Sequence, residues 1–420
     1  MTTPSFEDAP DFSVGAQYFL AAPMFAAVAG LLLAWLGGAV FASRYTPGIL
    51  ALTHLLTVGA LAMAMAGALW QILPVVAGAT VPHQALLAAI VWRALLVGAP
   101  ALALTFLSGS APWIALAAVA LVTGLGGLAG GAIFALARST QWHASALGIR
   151  CALGALLVTI CLGLALAGHW QGWWQIDFLA VVDLHASWGL LGWIGMLVLA
   201  VGLQVIPMFQ VTPSYPPALA WSAAPAAVAL LAVRSASGLM QGEIATLAGR
   251  AAEYALAAIF LAFAAISLRL LMRRKRPTPN VGTRYWRLAF ACLLAATALQ
   301  ASGMAKGEGG RDCLLGVMYL AGFALSAVYG MLFRIVPFLA WYHLQSNLRR
   351  GDEPLPSVRD MLSEVAAVRQ FHLHLAATIA LALTPILPVL ARPAGLLAAA
   401  AALWQFALLW RVVKIYRRYA

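Results

Sequence analysis

Charge is what this sequence has least of. Only 9% of its 420 residues are charged, against 63% hydrophobic, and the acids number 13 in all. A soluble domain carries roughly a quarter charged residues, so this chain cannot cover a water-facing surface. Lipid has to be the solvent for most of its exterior, which leaves helix bundles or closed barrels. Alternating ten-residue segments are missing too, which excludes a membrane barrel. Cysteine is scarce. Cys151, Cys161, Cys292 and Cys313 lie within or beside apolar runs, with no C-x-x-C pair or zinc spacing, and read as small buried hydrophobes. The first 14 residues, Met1 to Val14, lack a basic stretch, so no cleavable signal is expected.

What is present is a succession of long apolar runs. They cover 16–42, 48–77, 84–108, 112–137, 145–168, 179–209, 217–238, 250–272, 285–305, 313–341, 371–391 and 394–413. Each reaches the ~20 residues that a crossing needs. The expected fold is all-α: a polytopic membrane bundle of about 12 transmembrane helices, with a tail at 1–15 and one transmembrane domain over 16–420. The net charge of +12 follows from where the basic residues stand. Arg138, Arg150, the 273–287 cluster, Arg349, Arg350, Arg359, Arg369, Arg411, Lys414, Arg417 and Arg418 fall in even-numbered connections or the tail. Arg44, Arg234, Arg250, Lys306, Arg311 and Arg392 belong to the other side. The positive-inside rule then puts both termini in the cytoplasm of a bacterial inner membrane, with the basic loops against anionic lipid headgroups. No nucleic-acid partner is needed. The connection 342–370, with Asp352, Glu353, Pro354 and Pro356, reads as a cytoplasmic loop carrying a short amphipathic helix.

Three helices end alike. Gln71 precedes Pro74, Gln204 precedes Pro207 and Arg334 precedes Pro337, each by three residues; the prolines are 133 and 130 residues apart. Each interval spans four crossings, so the chain reads as three pseudo-repeats of four helices, about 16–137, 145–272 and 285–413. Arg334 also reads as a snorkelling side chain.

Ionisable groups inside a membrane are costly and mark candidate sites. His54 lies 20 residues before the first repeat proline and His185 lies 22 before the second, so they share a depth near the outer ends of helices two and six. A neutral imidazole is a good ligand for heme iron or copper. Asp183 stands ready as a partner fixing the His185 tautomer. The plainer reading of both is an interfacial histidine bonded to a carbonyl or water. His372 and His374 enter helix eleven from the cytoplasmic end, where histidine is commonly a headgroup residue; at i and i+2 they face different sides. Tyr319 and Tyr329 on helix ten are redox or proton candidates that also suit aromatic packing, and Met63 and Met65 read as core. Glu253 is the acid best placed for a proton path, with an ion pair to Arg250 as the simpler account. His83, His143, His169 and His343 read as interfacial.

Twelve crossings, three four-helix repeats, an outer-side histidine on helix two and the Gly-rich stretch from His185-Ala186-Ser187-Trp188-Gly189 to Pro207 together resemble the catalytic subunit I of heme-copper oxidases and nitric oxide reductases. The resemblance implies heme at His54 and copper at His185, with Tyr319 a third candidate at similar depth. The pattern departs from that family in three places. No His-His pair follows helix six, helix ten carries no His-x-His in its outer half, and the sole His-x-His, His372 and His374, lies one helix later. A complete oxygen-reducing centre is therefore not expected. Instead the resemblance implies a divergent relative binding heme or copper, in respiration, nitric oxide handling or metal handling, beside partner subunits of the membrane. A permease-like small-solute transporter and a non-catalytic assembly partner remain open.

Overall fold

The computed structural model describes residues 10–240, 242–276, 278–302, 309–346 and 355–420. Among the described residues every regular element is helical, and eleven helices are long and apolar enough to cross a membrane. These are α1 Phe12–Leu36, α2 Pro47–Val75, α3 Gln84–Ser108, α4 Ala111–Arg138, α5 Ala144–Trp170, α6 Phe178–Gln210, α7 Pro217–Leu239, α8 Glu243–Met272, α10 Gly310–Ser346, α11 Glu364–Leu383 and α12 Pro388–Tyr419. The expected ninth crossing is α9, Val281–Ala301. Its 21 residues suffice for a span, but Arg284 and Arg287 in its first turns set it below the others in apolarity. Large side chains such as Trp35, Val119, Leu239 and Ile244 are exposed, as lipid-facing surfaces require. The protein is a multi-pass membrane protein.

Several expected boundaries shift for local reasons. The first run ends at Leu36, not 42, because Gly37 adopts φ +73 and a 3₁₀ turn, Gly38–Ala42, follows. Asn280 starts α9 four residues early by accepting a hydrogen bond from the Thr283 N–H. Ser363 does the same for α11 by capping Ala366, and Pro385 stops that helix at Leu383. In the loop before α11 the amphipathic helix is a single turn, Val358–Met361, closed by a Ser357–Asp360 capping box. Asp352, Glu353, Pro354, Arg349, Arg350 and Lys306 lie outside the described residues, as does most of the N-terminal tail.

The helices pack in a repeating order. First and second helices of each unit pair as α1–α2, α5–α6 and α9–α10, and third with fourth as α3–α4, α7–α8 and α11–α12. The units join through α4–α5, α8–α9 and α12–α1. At that last seam a Cβ on Gly30 would lie 2.7 Å from the Gly395 carbonyl oxygen, and one on Gly395 would lie 2.5 Å from the Gly30 carbonyl oxygen. Without a hydrophobic force between helices in lipid, such close backbone approach is what holds them.

Of the eleven spans, α2, α6 and α10 bury the largest shares of their residues. Each contains an eight-residue π segment: Leu55–Ala62, Trp188–Gly195 and Met318–Leu325. All three begin 19 residues before the repeat proline and end 12 before it. A glycine stands 15 before each proline, and a Cβ there would strike the first helix of the same unit. Gly59 would meet Phe25 at 2.6 Å, Gly192 Ala155 at 2.8 Å and Gly322 Cys292 at 2.7 Å. The three units therefore match in backbone register as well as in sequence.

Candidate functional site

Each of His54 and His185 is the eighth residue of its helix, about 10 Å along the axis at 1.5 Å per residue. His54 immediately precedes the π segment of α2 and His185 stands three residues before that of α6. Widened turns of this kind recur at functional sites because they re-aim side chains. The two rings meet just ahead of these segments: the centroids are 6.2 Å apart and the planes differ by 20°. Phe106 of α3 covers the other side of His54 at 5.0 Å.

Both histidines are held through Nδ1. That of His54 lies 2.8 Å from the Leu50 carbonyl oxygen of its own helix, and that of His185 lies 3.1 Å from the Thr159 carbonyl oxygen of α5. A carbonyl accepts only, so each Nδ1 carries the proton and each Nε2 presents a lone pair. Gly163, one turn beyond Thr159, keeps α5 close: a Cβ there would lie 3.2 Å from His185 Cε1. Among the described residues neither Nε2 has a protein hydrogen-bond partner. Both rings line a cavity of about 700 Å³ with a mostly apolar wall, a size within the roughly 300–1,000 Å³ of cofactor sites.

At the histidine end of the cavity stands a charge cluster drawn from the α1–α2 connection, α6 and α10. Arg44, just before α2, pairs with Asp183 of α6 at 2.7 Å and with Asp312 of α10 at 3.4 Å. Arg311 pairs with Asp312 at 3.1 Å and donates to the Leu299 carbonyl. Partial burial opposes the Arg44 charge, yet the two carboxylates hold its pKa above the ordinary guanidinium value. Asp183 thus serves Arg44 and not His185, since residues i and i+2 of a helix point apart. The expected Glu253–Arg250 pair is likewise replaced: Glu253 bonds Arg234 of α7 at 3.0 Å, while Arg250 is exposed.

Tyr319 also lines the cavity, but its hydroxyl donates to the Leu190 carbonyl oxygen at 2.7 Å, inside the π segment of α6. Gly195 admits it; a Cβ there would lie 2.4 Å from that hydroxyl. His372 and His374 separate as their spacing requires. His372 is exposed and His374 is buried. Because α11 begins at Glu364, His374 is three turns in, not a headgroup residue. It bonds Ser326 at 2.8 Å, packs between Tyr285 and Tyr329, and touches the cavity from α11.

The repeat residues do not form a site. Gln71 is buried with neither amide atom bonded, Gln204 is partly buried, and Arg334 reaches Glu364 at 3.6 Å. Pro74, Pro207 and Pro337 lie within their helices. Met63 and Met65 are core, and His143 caps α5. Sequence reasoning missed Thr159, Gly163 and Phe106, which hold the histidine pair; no motif marks them. Among the described residues no group of three or more His, Cys, Asp or Glu side chains is assembled to hold a metal ion.

No protein-family model matches the sequence, and no curated protein matches it.

Proposed function

We propose that the chain is a heme-binding membrane protein on a scaffold like that of subunit I of heme-copper oxidases and nitric oxide reductases, in which His54 and His185 would hold the heme iron. The ring pair carries this reading. The rings stand 6.2 Å apart and within 20° of parallel on the wall of one cavity, each with its Nδ1 already bonded to a carbonyl, so the two Nε2 atoms are the donors that would hold an iron. The donor set suits heme, since a porphyrin supplies four nitrogens and asks the protein for two at most, and among the described residues no third His, Cys, Asp or Glu joins the pair.

When bound, a heme supplies one-electron chemistry. The chain's own residues do the rest. The Leu50 and Thr159 carbonyls fix the tautomers and raise the basicity of both Nε2 atoms. The apolar wall excludes water, and the Arg44–Asp183–Asp312 cluster closes the histidine end. Respiration, nitric oxide handling and metal handling are the settings that suit such a site. The positive-inside rule supports a bacterial inner membrane with both termini and the 273–287 cluster in the cytoplasm.

The test is the visible spectrum and iron content of the purified protein. The reading expects a Soret band with about one heme per chain, and loss of most of it in the His54→Ala, His185→Ala double variant. A colourless, iron-free protein from heme-replete cells overturns it, and uptake assays in vesicles then address the transporter alternative.

A further inference from the structure

A second groove, on the lipid-facing side, follows the seam of α1, α3 and α12. Its volume is about 670 Å³. On α1 it extends from Phe12 to Val28, which at 1.5 Å per residue is ~24 Å. The lining is apolar, including Ala16, Leu20, Ala21, Trp92 and Phe406, and its one charged member is Arg417. That arginine sits at the Phe12 end, where Phe12 packs on Tyr416 with centroids 4.5 Å apart.

The groove's length suits an extended chain lying along it. The length exceeds the ~15 Å of one hydrocarbon leaflet by about a headgroup layer.

Charge argues for an anion at one end. Beside groove residue Trp92 stands Arg93, exposed on α3 nine residues from its start. Among the described residues no carboxylate pairs with Arg93 or Arg417, although Arg417 also lies over the Trp410 ring. Trp92 bonds the Gln17 carbonyl, which puts Arg93 about 7 Å deeper than Arg417, within reach of a snorkelling guanidinium. Cations placed at the headgroup level without a carboxylate partner attract an anionic headgroup.

We infer that this groove holds one acyl chain of an anionic phospholipid whose phosphate is met by Arg417 and Arg93. The small side chains Ala16 and Ala21 leave the room, and the two arginines select the headgroup.

The full-length protein, purified in mixed micelles with equimolar phosphatidylglycerol and phosphatidylcholine, is examined by native mass spectrometry. One phosphatidylglycerol per chain is expected, retained at least fivefold over phosphatidylcholine. Arg417→Gln combined with Arg93→Gln is expected to reduce that preference to about one. Ala21→Phe is expected to remove bound lipid of both kinds; should it fail to fold, the arginine variants still decide. Equal retention of both lipids by the unmodified chain overturns the inference. So do a quinone as the bound molecule, a second copy of the chain masking the groove, or lipid retention indifferent to every substitution.

Discussion

The rings of His54 and His185, brought from different four-helix units, lie 6.2 Å apart and nearly parallel. Each is held by its own unit, and the two units together make the pair. The α5 backbone holds His185 through Thr159, and α3 covers His54 through Phe106. Packing of the first two units is therefore what builds the pair.

That dependence makes the Gly163 contact measurable. Gly163→Val pushes α5 away from His185 Cε1, which a Cβ alone would approach to 3.2 Å. We expect heme occupancy to fall at least severalfold, with a stability cost of about 1–3 kcal/mol from overpacking. Gly154→Ala on the same helix, where a Cβ meets nothing within 4 Å, is the control. It should be neutral or up to about 1 kcal/mol more stable. Thermal unfolding in detergent, beside heme content, separates the two.

His374 belongs to a different network, so its removal should leave the cofactor in place. His374→Ala leaves the Ser326 hydroxyl only its 3.3 Å bond to the Ala321 carbonyl and opens a void between Tyr285 and Tyr329. The expected cost is about 2–4 kcal/mol, combining a lost buried hydrogen bond with a cavity. Heme per folded chain should stay unchanged. Loss of heme in His374→Ala without unfolding contradicts this assignment.

Arg44 ties α6 to α10 through Asp183 and Asp312. Arg44 and Asp183 are each more than a third exposed, so screening limits that pair to about 1 kcal/mol or less. Arg44→Gln should therefore destabilise only slightly, and a double-mutant cycle with Asp312→Asn should return a coupling of about 0.5–1 kcal/mol that weakens with salt. A coupling indistinguishable from zero at low salt means the cluster does not hold the helices together.

Orientation is open to single-cysteine labelling in a background without the four native cysteines. A cysteine at Ser139 or Arg276 should react with impermeant reagent only after the inner membrane is opened. One at Gly172, in the connection after α5, should react in intact spheroplasts. The reverse pattern inverts the whole account of depth.

Much of this fold is legible in the sequence because lipid imposes one rule, that long apolar runs become helices. The prolines at 74, 207 and 337 likewise expose the three-unit plan. Less legible is whatever depends on helix phase. Glu253 faces α7, so its partner is Arg234 and not nearby Arg250. His374 looks superficial until Ser363 is seen to start its helix seven residues before Phe371. The π segments have no local sequence signature, since one extra residue per turn is set by packing. Only their shared register reveals Gly59, Gly192 and Gly322 as equivalent. The histidines were visible from depth alone, but their convergence and their carbonyl partners come from tertiary contacts that no spacing encodes.

Ligation state is the most direct test of the central claim. Two axial imidazoles fill the coordination of a heme, so the ferric protein should give a low-spin resonance spectrum and the ferrous protein should not bind carbon monoxide. His185→Gly should keep a heme through His54, turn it high-spin and make it reactive to carbon monoxide. An unmodified protein that is already high-spin and binds carbon monoxide, or a His185→Gly spectrum identical to it, contradicts the account.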